Sequence, residues 1–418
     1  MADLPQGSTG RETLPGARRL ALVVGATFLA RAVAGSAVGS LRARLWLTDQ
    51  ALGTLASAFA FPFALSLPLG AVLGRRRRFG AVAAGGLALC GVSTAAGAAA
   101  IGFWTLVLAR VAAGAGAGLA AGVAFTRAQA TAQHPGDRRV RSGFLLAGAG
   151  GIALGYLVGA ITFRWPRWQC GFLAAGALLV LAAAACASAA TEDRQAGPLR
   201  LGQLDRAVRR LVSPPHRLLA VLAAVVATSG GSALLYWLPA FLERGRGVPV
   251  LVASAQLALA VIGSALAGSA LCRAVIGREP GRRAAWTAAG GTGAAALFTG
   301  ASLRLASPAW ALPCAMMALL GLFAAARAAA ANLCSGAKPL AALPSPDEDR
   351  TAAAPQLALL ALAGETSGAF LLGAIADRAS FGWALLIIPS ALAASAALWA
   401  AAGSCRAASR DLTPPRGP

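Results

Sequence analysis

TEDRQAGPLRLGQLDRAVRRLVSPPHR, residues 191–217, is the longest polar stretch between two blocks of almost unbroken apolar sequence. On each side of it lie about six apolar runs long enough to cross a bilayer. Local features of the first block return roughly 200 residues later in the second, the mark of an internal duplication. The fold class this implies is an all-α integral membrane protein of twelve transmembrane helices in two six-helix halves.

Composition agrees. Of the 418 residues 57% are hydrophobic and 12% charged, with a mean hydropathy of +0.67, which leaves too little polar surface to clothe a soluble globule. A net charge of +22 would point to nucleic acid in a soluble chain. Here the arginines gather at the ends of apolar runs, where they anchor and orient helices, so no nucleic-acid partner is expected. Among the 37 basic residues only Lys338 is a lysine, and with the heavy use of Ala and Gly this has the stamp of a GC-rich bacterial genome. The seven cysteines are scattered, with no CxxC pair and no neighbouring His, so neither a metal site nor a disulfide framework is expected. The apolar run after the polar N-terminal 17 residues is too long for a signal-peptide core and reads as the first membrane helix.

Apolar runs bounded by charge, Pro or Trp fall at about 20–41, 50–73, 80–102, 104–126, 142–163, 169–190, 218–241, 250–272, 284–302, 308–330, 353–376 and 382–403. The domain plan is an N-tail (1–17), a first half (18–190), a central loop (191–217), a second half (218–404) and a C-tail (405–418). Basic residues favour one set of alternate connections by about three to one, which predicts cytoplasmic termini and a cytoplasmic central loop. The opposite side carries Arg42, Arg44, Arg164, Arg167, Arg244, Arg246, Arg304 and Arg378. All nine Trp sit near predicted span ends, as indoles at the headgroup level do. In the central loop Leu201, Leu204, Val208, Leu211 and Val212 share a helical face opposite Arg200, Arg206, Arg209 and Arg210. Residues 199–212 therefore form either an interfacial helix on anionic lipid or a solvated linker.

GAVLGRRRRFG, residues 70–80, joins the second and third spans, with Gly70 ahead of Arg75, Arg76, Arg77 and Arg78. It resembles the glycine-then-basic signature between helices 2 and 3 of the major facilitator superfamily, with Gly74 in place of the usual acid. LARVAAGAG, residues 108–116, is similar to the family's arginine-then-glycine pattern in helix 4, with Arg110 and Gly114 at the matching positions. Gly151, Gly155 and Gly159 resemble its glycine-rich fifth helix, without the Gly-Pro pair of antiporter members, so antiport loses weight. The second half repeats the first: Gly268 to Arg278 mirrors Gly70 to Arg78, Trp310 mirrors Trp104, and Phe381 to Trp383 mirrors Trp165 to Phe172. The resemblance covers about residues 18–404. It implies a secondary transporter that rocks its two halves around a midplane site, a gate at the Gly70–Arg78 hairpin, and a part for Arg110 in coupling protonation to gating.

Glycines at spacing four have a physical role of their own, since small residues let helix backbones approach closely where no hydrophobic effect drives association. Gly364 with Gly368, and Gly263 with Ala267, offer the same faces.

Of the 15 acidic residues only Glu365 lies deep within a span. Burying a charge there costs roughly 3 kcal/mol or more, so it is a functional candidate, for proton coupling or as a helix-to-helix ion pair. Arg31, near the middle of the first span, either grips a carboxylate-like substrate or forms a structural ion pair. Arg110 either couples protonation to gating or bonds backbone in the neighbouring hairpin, and Arg327, toward the cytoplasmic end of the tenth span, snorkels. Ser229, Ser232, Tyr236 and Gln256 are candidate cavity liners. No Walker-type phosphate loop, metal cluster or catalytic triad is present, so ATP-driven transport and enzymatic catalysis are not expected.

The expected protein is therefore a monomeric, multi-pass transporter of the bacterial inner membrane that needs no cofactor. Three intramembrane Arg against one Glu lean toward symport of a small organic or inorganic anion with protons, with some similarity to cyanate-type members. The alternatives are efflux of drugs or amphiphiles, and a non-transporting protein that keeps the fold as a sensor or assembly factor.

Overall fold

The computed structural model describes residues 13–76, 79–131, 138–162, 168–187, 215–276, 281–304, 317–326 and 364–411. Every regular element among them is helical, as expected where lipid offers no partner for an exposed backbone N–H or C=O. The first half holds α1 (Thr13–Ser36), α2 (Val38–Leu45), α3 (Asp49–Arg76), α4 (Phe79–Ala96), α5 (Phe103–Thr131), α6 (Arg138–Thr162) and α7 (Gln169–Ala187). The second holds α8 (Pro215–Arg246), α9 (Val250–Ile276), α10 (Gly281–Arg304), α11 (Met317–Ala326), α12 (Thr366–Arg378), α13 (Phe381–Ala384) and α14 (Ile387–Asp411). Eight of these helices are long and apolar enough to cross a membrane unaided. The chain is a multi-pass membrane protein, consistent with the expected twelve spans.

Two details differ from the sequence expectation. The first span is broken at Ala37, where the Ser36 hydroxyl donates to the Val33 carbonyl and the Ala37 N–H to Ala34, tightening the turn before α2 begins. Trp168, Trp237 and Trp399 are not at a lipid interface: they are 8%, 0% and 1% exposed, packed inside protein. Trp237 is held there because its indole N–H finds the Ala369 carbonyl at 3.1 Å. Trp46, Trp104 and Trp383 do keep the interfacial exposure that their positions predict.

The duplication is visible in the packing. In the first half α1 packs on α6, α3 on α5, and α4 on both α5 and α7, while in the second α14 packs on α8 and α10. A methyl group at Gly86 would meet the Gly116 carbonyl oxygen at 2.7 Å, and one at Gly291 would meet that of Gly321 at 2.6 Å. A single shift of 205 residues takes the first pair onto the second. Likewise Gly151 and Gly155 of α6 sit on the carbonyls of Gly25 and Leu29 of α1, as Gly364 and Gly368 sit on those of Val225 and Ser229. Shifts of 213 and 200 residues relate these two contacts. Small residues at spacing four bring the backbones together in each case.

Where the halves meet, α3 packs on α12 and α6 on α9. Alternation of the spans puts Asp49, Arg244 and Asp377 at one end of the bundle and both chain termini at the other. At the Asp49 end the halves share one apolar core, in which Leu41, Leu52, Leu55, Tyr156 and Phe172 join Trp237, Phe241, Leu257, Leu372 and Leu392. Toward the terminal end the described residues form separate cores. One contains Leu20, Phe79, Leu87 and Leu179 from the first half only, and the other Ala220, Ala284, Trp399 and Ala402 from the second. Among the described residues the halves share a core at the Asp49 end and not toward the termini.

Candidate functional site

Arg31 stands in the last quarter of α1, and Glu365 immediately precedes α12, at its N-cap position. The two side chains meet across the boundary between the halves, Arg31 Nη1 to Glu365 Oε1 at 2.6 Å, with side chains 24% and 16% exposed. The repeat that takes Gly25 to Val225 and Gly364 to Gly151 would place Gly231 and Ile152 here. No charged counterpart exists in the second copy, so the pair breaks the molecule's internal symmetry.

Arg110, on α5, is 3% exposed and lies against the same stretch of α1. Its Nη1 donates to the Ala30 carbonyl at 3.0 Å, and its guanidinium carbon sits 4.4 Å from the centre of the Phe59 ring. Its Nε has no hydrogen-bond partner. The backbone bond that Arg110 makes is to α1 rather than to the neighbouring hairpin.

Around the pair the polar groups are hydroxyls. The Ser57 hydroxyl of α3 donates to the Thr366 carbonyl at 2.6 Å, again crossing between halves. Ser229 and Ser367 share a hydrogen bond at 3.2 Å, tying α8 to α12 beside Glu365. Gln256 is half-buried on α9. Tyr236 is placed differently from an open cavity wall: it is 7% exposed and its hydroxyl donates to the Leu52 carbonyl at 2.8 Å. Ser232 is buried, with its hydroxyl on the Ser229 carbonyl at 3.0 Å.

At the signature hairpin, Gly70 packs against Leu119 of α5, and Gly268 packs α9 on Leu320 and Ala324 of α11 in the same way. A side chain at Gly74 would run into Val123, a steric reason for its being glycine in this chain. Arg77, Arg78, Arg327 and the segment 199–212 lie outside the described residues, as do the side chains of Arg75 and Arg76.

Sequence reasoning passed over a second cluster, at the Asp49 end. Asp49, 4% exposed, accepts Arg244 Nη1 at 2.8 Å and Arg42 Nη1 at 3.4 Å. Asp377, just beyond the eleventh apolar span, accepts the backbone N–H groups of Asp49 and Gln50 at 2.9 Å each. Burial works against ionisation of Asp377, but those two N–H groups, the Thr48 hydroxyl and the Arg42 charge outweigh it and hold the carboxyl below its usual range. The available signal was two acids at span ends, one opening a helix and one closing another.

The Major Facilitator Superfamily profile matches residues 20–341. The chain belongs to the major facilitator superfamily. Among solved structures similar to it is a bacterial homolog of the human lysosomal transporter Spinster in an inward-facing and occupied conformation, with a TM-score of 0.71 and 16% identity over 97% of this chain and 98% of that one. The same homolog in an inward-facing and unoccupied conformation gives 0.71 and 17%, over 98% and 100%. No curated protein matches the chain. At this identity the likeness carries the fold, and the family carries the rest: a membrane transporter with a small-molecule substrate.

Proposed function

We propose that this superfamily member is a secondary active transporter that moves a small anionic solute in symport with protons, by alternating access between its halves (18–190 and 218–404). The observation that carries the reading is the Arg31–Glu365 ion pair across the boundary between halves. Two ligands can split that pair without leaving a charge stranded: a proton on Glu365, and an anion on the Arg31 guanidinium. Either one alone leaves the other partner unmatched at a cost of about 3 to 5 kcal/mol, so the two are coupled. Arg110, whose Nη1 bonds the carbonyl of Ala30 next to Arg31 and whose Nε has no hydrogen-bond partner, adds positive charge that favours the anion.

Among the described residues the cores at the terminal end are separate, which supports access to the site from that side. On the basic-residue bias this is the cytoplasm of a bacterium, with the protein in the inner membrane as a monomer and the central loop against anionic lipid. Reconstituted into proteoliposomes, Glu365→Gln is expected to lose accumulation driven by a proton gradient while exchange of internal for external substrate persists, because the amide keeps the shape but carries no proton. Accumulation at the wild-type level would overturn the coupling role, and absence of transport in the wild type would overturn the reading as a whole.

A further inference from the structure

The turn that joins the last two spans is made in two steps. α12 ends at Arg378, α13 is four residues long, and α14 begins at Ile387. Pro389 lies in the first turn of α14, where the N–H it lacks would have no helical partner. α14 then packs on α8 and α10, and α12 on α3 and α8, so the two arms of the hairpin diverge. The corresponding hairpin of the first half is tight. A methyl group at Gly171 of α7 would meet the Thr162 hydroxyl of α6 at 2.9 Å, whereas one at Gly382 would meet nothing within 4 Å.

The gap between α12 and α14 is a groove of about 630 Å³, within the range of small-ligand sites. Its walls are Ile375 and Ala379 on one side and Leu386, Ile387 and Ala391 on the other, with Trp383 at the Asp49 end. The one hydroxyl that lines it, that of Ser390, donates to the Leu386 carbonyl at 2.8 Å and so asks nothing of an occupant. Leu371, 45% exposed, continues the α12 wall one turn deeper, so the groove faces lipid rather than the protein interior.

The mouth is of the opposite character. Trp383 is 70% exposed, and among the described residues its indole N–H bonds no protein group. Arg378, exposed and next to Ala379, has no ion pair among the described residues, while the carboxylate of Asp377 is turned to the N–H groups of Asp49 and Gln50. An apolar tail with an anionic head matches both parts of the groove. A second copy of the chain does not, because its apolar flank would strip water from Arg378 and provide no charge. In a bilayer the tail gains little by entering, since lipid is as apolar as the walls, so the head carries the selectivity.

We propose that this groove binds one anionic phospholipid of the leaflet at the Asp49 end, an acyl chain between α12 and α14 and the phosphate at Arg378 and Trp383. Bound there, the lipid braces the hairpin whose Phe381 ring lies 5.7 Å from that of Trp237. The site needs only that the chain spans a bilayer, whatever solute it moves.

The test reconstitutes the full-length protein in phosphatidylcholine vesicles in which brominated phosphatidylglycerol, or brominated phosphatidylcholine, replaces a rising fraction of the lipid. Bromine on an acyl chain quenches a tryptophan it touches, and the part due to Trp383 is the difference between wild type and Trp383→Phe. Half-maximal quenching of Trp383 is expected at a fraction of phosphatidylglycerol about fivefold below that of phosphatidylcholine, the effect of one arginine at the surface. Arg378→Gln should abolish that preference, and so should Ala391→Phe, which fills the groove. Arg304→Gln, also exposed at that end but on α10, should keep it. Equal quenching by the two lipids in the wild type overturns the proposal. Loss of the preference in Arg304→Gln to the same extent as in Arg378→Gln also overturns it, since that reports surface charge alone. Quenching that appears only when the protein is diluted into excess lipid marks a second copy in the groove and overturns it as well.

Discussion

Arg31 and Glu365 form a single short contact, and what it does depends on whether the guanidinium is needed for its charge or for its shape. A lysine at position 31 keeps the charge and loses the planar fork that grips a carboxylate-like anion. Arg31→Lys is therefore expected to melt near the wild-type temperature while its stabilisation by added anion falls at least tenfold. Arg31→Ala leaves Glu365 without its cation, and stability should fall by about 3 to 5 kcal/mol. Melting curves of the detergent-solubilised proteins, with and without a panel of small anions, check both. Unchanged anion response in the two variants would exclude a substrate role for Arg31. This residue was legible in the sequence as an isolated charge in an apolar span, and so was Glu365. Their pairing was one of several open readings, because a sequence does not say which faces of helices 1 and 11 meet.

At the scale of helices, close approach through glycine is what the composition prepared. Gly151 is the sharpest case: it lies on the Gly25 backbone with no space for a methyl group, so Gly151→Ala must push α6 away from α1. Overpacking of this kind costs about 1 to 3 kcal/mol, and the loss should appear as a lower melting temperature. Gly263→Ala provides the contrast, since a methyl group there meets nothing within 4 Å and should leave melting unchanged. Both glycines sit in faces of small residues that look alike in the sequence. Spacing marks such a face, but which of its glycines faces another helix depends on the neighbour. The buried tryptophans carry the same lesson in reverse. Trp237 lies near a span end by sequence, but the Ala369 carbonyl and the Phe381 ring beside it make the protein interior its solvent.

For the whole molecule, the described residues of the two halves share a core at the Asp49 end and keep separate cores toward the termini. The basic-residue bias assigns that side to the cytoplasm. In intact cells an impermeant thiol reagent should therefore label Ile101→Cys, which is 91% exposed in the native side chain, and spare the exposed native Cys405. The reverse pattern would invert the molecule and with it the side to which the site now opens.

The sequence by itself determined the all-helical membrane architecture, the two-fold repeat and the isolated charges at Arg31, Arg110 and Glu365. Each follows from a local rule: a bilayer demands apolar runs of fixed length, satisfies no backbone polar group, and makes every buried charge conspicuous. Only the tertiary structure decided that Arg31 meets Glu365, that Arg110 holds the Ala30 carbonyl, that Tyr236 seals the seam, and that Asp49 and Asp377 clasp the halves. Those contacts join residues as far apart as 49 and 377, and they depend on the register and rotation of helices about their axes. Apolar composition leaves both nearly free, because a helix rich in Ala, Leu and Gly is equally content in lipid on every face until a partner helix selects one.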